Sequence, residues 1–427
     1  MLPARYIKAL LFYTTLGLTL NHMAFAKEDA DASIQNKTEQ EIDLGQAQRR
    51  TPSGYYLDPG SLFFWHGYIN GVYANLDNDF GKSPLTQGQI LVNGSNRFSG
   101  ANTGGFQHDA ALFVGSEMFQ GFQGVLEIHF VRSALDPVLT EAKIMWHVIN
   151  KKEWPTHLAI GVGRQWWPFG VHNRQWFSSL NPFNVISPVA THVLPPHHNE
   201  IGAWLEGYSQ AGKVALNYVV SVGNGPLSFG MMDNVRINVF GHSKKPAVTG
   251  RFGIKPGLPW LEIGASGAWG GMRDGSVRGA DENPEQAQTD PRFYAADFWA
   301  AGADLQIDTE VGFRLVSDFA WSQEMLRGDS PRSSLDRFGF HADAYYGLPI
   351  PQYPKWLWSI GPKVLYSEAW IDQLQGGREH GRHIGFGANY YPIEQVALKV
   401  EYVFVKGGNG AGYDKDNIFD VGLVLSW

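Results

Sequence analysis

The most regular feature of the sequence is an alternation of apolar and polar residues with a period of two. In one example, Ala142, Ile144, Trp146 and Val148 occupy alternate positions, with Glu141, Lys143, Met145 and His147 between them. Successive side chains of a strand point to opposite faces, so this period predicts β-strands with one apolar face. A soluble β-sandwich would show the same alternation, because one face of each of its sheets is wet.

About sixteen segments follow this pattern, and each has at least the roughly 9–11 residues that a tilted strand needs to cross a membrane. The predicted strands are 61–76, 105–118, 121–133, 138–150, 155–168, 200–210, 212–223, 245–256, 259–269, 292–307, 309–322, 337–347, 356–369, 382–392, 395–406 and 416–427. The predicted fold class is therefore all-β, a transmembrane antiparallel β-barrel of about sixteen strands.

The connections between these strands alternate between long and short. The long ones are 77–104, 169–199, 224–244, 270–291, 323–336, 370–381 and 407–415, and the short ones include Gln120, Ala211, Asp308 and 391–394. One connection on the long side, 134–137, is only a tight turn at Asp136-Pro137. Long extracellular loops and short periplasmic turns are typical of outer-membrane barrels. A soluble sandwich has no reason to sort loop length by side.

Composition supports a barrel over a helical membrane protein. The 427 residues are 18% charged and 14% aromatic, whereas soluble proteins carry about 25% charged residues. The mean hydropathy is −0.23, and no segment after residue 26 reaches the roughly 20 apolar residues of a spanning helix. Aromatic residues gather near predicted strand ends, for example Trp166-Trp167 and Tyr390-Tyr391. We interpret them as girdles at the lipid headgroups, with core packing of a soluble protein as the alternative.

The N-terminus predicts export. Arg5 and Lys8 precede a short apolar run, and Ala24-Phe25-Ala26 is a small-x-small cleavage site, so residues 1–26 are predicted to be a signal peptide; a membrane anchor is the alternative. Cleavage leaves 32 basic against 41 acidic residues, a net charge of −9, and we therefore expect no nucleic-acid partner. Residues 27–60 are predicted to be a polar periplasmic extension and 61–427 the barrel.

The last predicted strand carries a pattern of its own. Its alternate apolar residues are Phe419, Val421, Leu423, Leu425 and Trp427. A terminal aromatic residue preceded by apolar residues at every second position resembles the signal by which outer-membrane proteins are recognised for assembly. The expected partners are therefore outer-membrane lipid and the barrel assembly machinery, although a buried final strand of a soluble protein would show the same positions.

Three internal segments resemble a known family. Gly163-Arg164-Gln165-Trp166-Trp167-Pro168-Phe169-Gly170 looks like the Gly-x-x-x-x-Pro-Phe-Gly segment of the phosphate-selective porin O/P family of bacterial outer-membrane porins. The segment 247–256 is similar to that family's mid-barrel strand, and Gly302-Ala303-Asp304-Leu305 to a later one. The resemblance implies a sixteen-stranded homotrimer whose third-hairpin loop folds inward. The residues of 169–199 agree, because this long connection is rich in apolar side chains such as Trp176 and Phe183. A loop that covers a neighbouring subunit is the alternative.

The polar parity of the strands predicts which side chains line a lumen. The pore-lining and constriction candidates, including two from the 169–199 connection, are Glu127, Glu141, Lys143, Arg164, His172, Arg174, Arg251, Arg314, Lys399 and Glu401. Strict parity puts Arg164 with Val162 on the opposite face, so a position near the membrane interface and a bulge that turns it inward both remain open. Charges of both signs around a pore would sort solutes by charge and dipole.

These residues favour a channel over other functions. Phosphate selectivity would need a ladder of Arg and Lys. The full set of charged residues on the polar parity has only four such basic residues against six carboxylates, which are Glu127, Glu141, Asp318, Asp343, Glu401 and Asp420. We therefore predict an outer-membrane porin that passes small polar or charged solutes by passive diffusion, with an anion- or phosphate-selective porin as the alternative. A barrel-embedded hydrolase is a weaker one, since no Gly-x-Ser-x-Gly motif is present.

No enzyme activity, cofactor or metal is expected. His192, His197 and His198 lack the spacing of a helical ligand pair. The segment 77–81 contains fragments of a calcium loop but lacks the distal bidentate Glu. We interpret it as a turn after the first predicted strand.

Overall fold

The computed structural model describes residues 64–76, 105–119, 121–131, 136–149, 155–171, 193, 199–225, 245–271, 295–309, 312–326, 333–349, 359–372, 377–393, 396–407 and 416–426. Its strands are β1 Phe64–Leu76, β2 Gly105–Phe119, β3 Phe122–Val131, β4 Asp136–Ile149, β5 Thr156–Trp166, β6 Asn199–Ala211, β7 Val214–Gly223, β8 Ala247–Pro256, β9 Leu261–Gly271, β10 Ala295–Asp308, β11 Phe313–Leu326, β12 Ser334–Tyr346, β13 Leu348–Pro349, β14 Ser359–Asp372, β15 Arg378–Ile393, β16 Val396–Gly407 and β17 Asp416–Ser426. Within these ranges no helix is long and apolar enough to cross a membrane.

All the strands form one antiparallel sheet that closes on itself. Each strand pairs with its neighbour in sequence, and β1 pairs with both β2 and β17. The two-residue β13 continues β12 past Gly347, and both pair with β14, so sixteen strands cross the barrel. Closure gives every described strand a partner on both sides, which removes the free edges of an open sheet. The predicted sixteen-stranded antiparallel barrel is confirmed.

Tight turns join several hairpins at one end of the barrel. They follow β2, β6, β8 and β10, and each contains a glycine with a positive φ: Gly121, Gly212, Gly257 and Gly312. At the last of these, the Gly312 N–H donates to the Thr309 carbonyl and the Phe313 N–H donates to Thr309 Oγ1. Because Thr309 and Gly312 make these turn contacts, β11 begins at Phe313, four residues later than the sequence predicts.

Burial alternates along the strands, as it must in a closed barrel with two different faces. In β8, Thr249 and Arg251 are buried while Val248 and Phe252 are exposed. Large apolar side chains make up the exposed set around the sheet, among them Trp269 at 59% exposure and Val364 at 56%. The outward face is apolar and the inward face carries the charges. Soluble proteins place these two classes the other way round.

Candidate functional site

The inner wall brings together most of the charged residues that parity predicts for it. Six of the candidates are buried there: Glu127, Glu141, Lys143, Arg251, Lys399 and Glu401. Arg314 is half-buried and shares the inward parity of Val316 and Asp318. The candidates His172 and Arg174 lie outside the described residues.

Arg164 is half-buried, and its place relative to the two faces of the barrel is less regular than that of the other candidates. Its neighbours in the register are Ala142 on β4 and Ile201 on β6, and the pairing shows no shift at that point on either side. Ala142 has the parity of the exposed Ile144, so the register continues the outward face of Val162 to Arg164. Gly163 has a φ of 127°, however, and Trp166, two residues after Arg164, is buried and donates to the inward Glu127. Alternation is therefore interrupted at this end of β5, and the place of Arg164 among the pore-lining candidates stays a prediction. Its half-exposed position falls near the end of β5, beyond the exposed Ile160 and Val162.

The first inward cluster lies on β3, β4 and β5. Glu127 and Glu141 are directly opposite each other in the register. Lys143 Nζ lies 2.9 Å from Glu141 Oε2, and the Trp166 indole Nε1–H donates to Glu127 Oε2 at 2.8 Å. Two neighbouring carboxylates therefore have one ammonium group and one indole N–H among their partners.

A second cluster surrounds Arg251 on β8. Its Nε donates to Asp304 Oδ2 at 2.9 Å, Nη2 donates to Asp304 Oδ1 and to Glu262 Oε1, and Nη1 donates to Asn217 Oδ1 at 2.8 Å. The network fits because Gly253 and Gly264 leave room for it. A Cβ at Gly264 would lie 2.5 Å from the Asp304 carboxylate oxygens. The guanidinium is bound on both of its donor edges, in the geometry that suits carboxylates best.

A third cluster lies on β14 to β17. Lys363 Nζ donates to Glu401 Oε2 at 2.6 Å, and its side chain passes over Gly387, where a Cβ would lie 2.9 Å from Lys363 Cε. Lys399 is buried in the same wall and interacts electrostatically with Lys363, Glu401, Asp420 and Arg314. Three basic groups accompany two carboxylates here, so this wall is more positive than the wall of β3–β5.

Several inward charges escaped the sequence-based selection. They are Glu200, Glu206, Glu262, Asp304, Glu324, Arg337 and Lys363, and all are buried. Alternation alone could have found some of them: Lys363 lies between Pro362 and Val364, both exposed. Glu206 was harder to recognise, because its inward neighbour Trp204 is apolar and its outward neighbour on one side is Gly207. Alternation identifies the inward face of a strand from its polar residues, so an apolar inward residue such as Trp204 makes that face difficult to recognise in the sequence.

The chain turns inward after β5. Trp167, Phe169 and Val193 are buried in one cluster with Ala247, Ala268, Phe298, Ala300, Ala320 and Ala369, which belong to β8, β9, β10, β11 and β14. The Trp167 ring lies 5.5 Å from that of Phe298 and 6.0 Å from that of Phe169, centroid to centroid. The described ends of 169–199 are therefore held against the inner wall across the lumen from β5.

The outward face of the last strand carries the predicted alternate residues. Phe419 and Leu423 are exposed, Val421 and Leu425 are half-buried, and Asp420 and Val424 between them are buried. Trp427 lies outside the described residues.

No protein-family model matches the chain, and no curated protein is similar to it in sequence. Its structure is similar to those of solved outer-membrane proteins. OmpT of Vibrio cholerae in its trimer form gives a TM-score of 0.52 at 11% identity, over 86% of this chain and 99% of that one. The outer-membrane channel DcaP of Acinetobacter baumannii gives 0.51 at 13% identity, over 86% and 97%. The anion-selective porin from Comamonas acidovorans gives 0.51 at 11% identity, over 86% and 99%.

The chain has the fold of a bacterial outer-membrane porin. At these identities the similarity concerns the backbone alone, and the inward charges described above belong to this chain. The apolar outward face agrees with the fold, because a closed barrel satisfies its backbone hydrogen bonds internally and can lie in lipid.

Proposed function

We propose that this protein is an outer-membrane porin, a passive diffusion channel for small polar or charged solutes, and not an enzyme. The observation that carries the proposal is the division of the barrel into an apolar outward face and a charged inward face. An apolar outward face is stable in contact with lipid, and a charged inward face is stable in contact with a water-filled lumen. The similarity of the fold to those of a solved outer-membrane channel and a solved anion-selective porin supports the same function.

The charges suggest how such a channel would treat solutes. The wall of β3–β5 has Glu127 and Glu141 with Lys143, and the wall of β11 and β14–β17 has Arg314, Lys363 and Lys399 with Glu401 and Asp420. Strands eight apart face each other in a sixteen-stranded barrel, so β11 and β14 lie opposite β3 and β5, whereas β16 and β17 lie nearer to β3 around the wall. Charges of both signs around the lumen would orient water and favour small dipolar solutes over apolar ones. The described residues offer no continuous ladder of cations, so phosphate selectivity is the less favoured alternative.

The other parts of the chain fit the same proposal. Residues 1–26 would be a cleaved signal peptide that leads to the outer membrane, 27–60 a periplasmic extension, and 169–199 a constriction loop. The inward contacts of Phe169 and Val193 support the last of these. A homotrimer is proposed because OmpT of Vibrio cholerae has a trimer form. Membership of the phosphate-selective O/P family is a proposal that rests on the sequence resemblance of 163–170, 247–256 and 302–305.

Conductance of the purified barrel in a planar bilayer tests the channel. We expect stepwise, ohmic single-channel currents and a reversal potential in a potassium chloride gradient close to that of an unselective pore, because charges of both signs line the lumen. A correctly folded barrel that passes no current would contradict the proposal. Block of the chloride current by inorganic phosphate at low concentration would instead support the anion-selective alternative.

Assembly through the last strand can be tested separately. We propose that the barrel assembly machinery recognises Phe419, Val421, Leu423 and Leu425, and that these side chains face lipid once the barrel has formed. Replacing Phe419 and Leu423 together by Ala should lower the yield of heat-modifiable barrel while export to the periplasm continues.

The matched control for assembly is Val403→Ala with Ile418→Ala. These two apolar residues lie opposite each other on β16 and β17, and both are buried on the inward face. The two control substitutions remove apolar volume from β16 and β17 but leave the outward residues of β17 unchanged. If both double variants lower the yield of heat-modifiable barrel equally, the outward residues contribute only to stability and not to recognition by the assembly machinery.

A further inference from the structure

The segment Trp167–Val171, which contains the Pro168-Phe169-Gly170 motif, is bound to the far wall by polar contacts as well as by packing. The Gly170 N–H donates to Ser266 Oγ on β9 at 3.0 Å, and the Val171 N–H donates to Asp318 Oδ1 on β11 at 2.9 Å. Backbone donors buried away from water need such partners, because leaving them unsatisfied costs free energy.

The returning end of the same connection is held on the same strand. Ser322 Oγ donates to the carbonyl oxygen of Val193. Ser322 lies four residues after Asp318 on β11, so both face inward. One strand therefore contacts the chain where it enters the lumen and again where it returns.

The far wall is shaped to receive the segment. An added Cβ at Gly302 on β10 would lie 2.7 Å from the Phe169 ring, so glycine makes room for the aromatic side chain. Around it the inward positions are Ala268, Ala300 and Ala320. Gly170 has a φ of 63°, and a Cβ there would lie 2.8 Å from Asp318 Oδ1. Glycine at both places permits a close approach that other residues would prevent.

We infer that Asp318, Ser266 and Ser322 are positioning residues that fix the inward segment and thereby set the conductance of the channel. The Phe169-Gly170 part of the motif is the element they hold. Asp318 acts as a hydrogen-bond acceptor for the Val171 N–H, and its charge is secondary to this role. The inference rests on the proposed channel function and goes beyond it by naming what holds the constriction.

Two substitutions at one position separate the acceptor from the charge. Asp318→Asn removes the charge but keeps an oxygen that accepts the Val171 N–H, whereas Asp318→Ala removes both. We expect Asp318→Ala to increase current noise and mean single-channel conductance, since loss of a hydrogen bond to a charged group raises the detached population roughly tenfold or more. Asp318→Asn should keep the wild-type conductance and noise. Equal changes in both variants, or none in Asp318→Ala, would overturn the inference.

The same contact can be tested by a substitution in the inward segment. It can also be tested by proteolysis, which does not depend on current. Gly170→Ala disturbs the contact with Asp318 and should reproduce the noise of Asp318→Ala. Trypsin cleavage after Arg174 in the folded, heat-modifiable barrel should be faster in Asp318→Ala than in Asp318→Asn. If the wild type passes no current but the cleavage rates differ as expected, the anchoring stands and the channel function fails. Identical cleavage rates in the two variants would overturn the anchoring.

Discussion

Replacing Val364 by Arg should destabilise the folded barrel by about 2–4 kcal/mol, although 56% of the Val364 side chain is exposed. At an exposed position of a soluble protein, such a change alters stability by about 0.5 kcal/mol or less. Val364 lies on the outward face of β14, directly opposite Phe386 on β15, which is also exposed. If lipid surrounds this face, the guanidinium must lose its water. The free energy of unfolding, from urea titration in phospholipid vesicles, measures the difference.

Gln210→Arg is the matched control. Gln210 is exposed near the tight turn at Gly212, at the end of the barrel, and its side chain donates to the Gly212 carbonyl. An Arg there can remain in water and donate to the same carbonyl, so we expect its unfolding free energy to stay near that of the wild type. If the two variants were equally stable, the outward face of β14 would be in water and the membrane location would be contradicted.

The second large effect is expected from Arg251→Met. The substitution leaves Asp304 and Glu262 close together on the inner wall without the cation that bridges them, at a cost of about 3–5 kcal/mol for a buried pair that loses one partner. The same titration in vesicles measures it. Stability equal to that of the wild type would show that water within the lumen replaces the guanidinium.

A combined variant shows whether the cost comes from stranded charge. Adding Glu262→Gln and Asp304→Leu to Arg251→Met removes the uncompensated carboxylates together with their cation. Replacing a whole buried ionic group by neutral residues is often close to neutral, so most of the lost stability should return. A triple variant as unstable as Arg251→Met would mean that packing over Gly253 and Gly264 matters more than charge.

The period of two in the sequence carries most of the information about this fold. It predicts a strand at 416–427 where β17 runs Asp416–Ser426, and one at 395–406 where β16 runs Val396–Gly407. The start of β11 is displaced by a turn whose Thr309 cap and Gly312 conformation are not visible as a change of period. Alternation works well because each face of a barrel strand meets a single solvent along its whole length.

The site was less predictable because it depends on which residues of different strands meet. Parity places Arg251 on the inner wall, but it does not show that Asp304 from β10 reaches it across the Gly264 position of β9. Such contacts follow from the register of three strands and from glycines that leave space. Similarly, the apolar residues of 169–199 suggest an inward loop, whereas its acceptors Ser266 and Asp318 look like ordinary polar positions of two distant strands.

The pairing of β1 with β17 also governs when the barrel can form. Tyr68 lies opposite Ser426 and Leu76 opposite Ile418, so β1 finds one of its two partners only in a strand that is synthesised after β2–β16. Contacts between such distant parts of a chain slow folding, because loop-closure entropy is lost before the contacts form. Until then both ends of the sheet expose strand edges that can pair with other chains. Because the barrel closes only when β1 pairs with β17, folding is completed late. The chain must therefore be protected from aggregation until β17 is available.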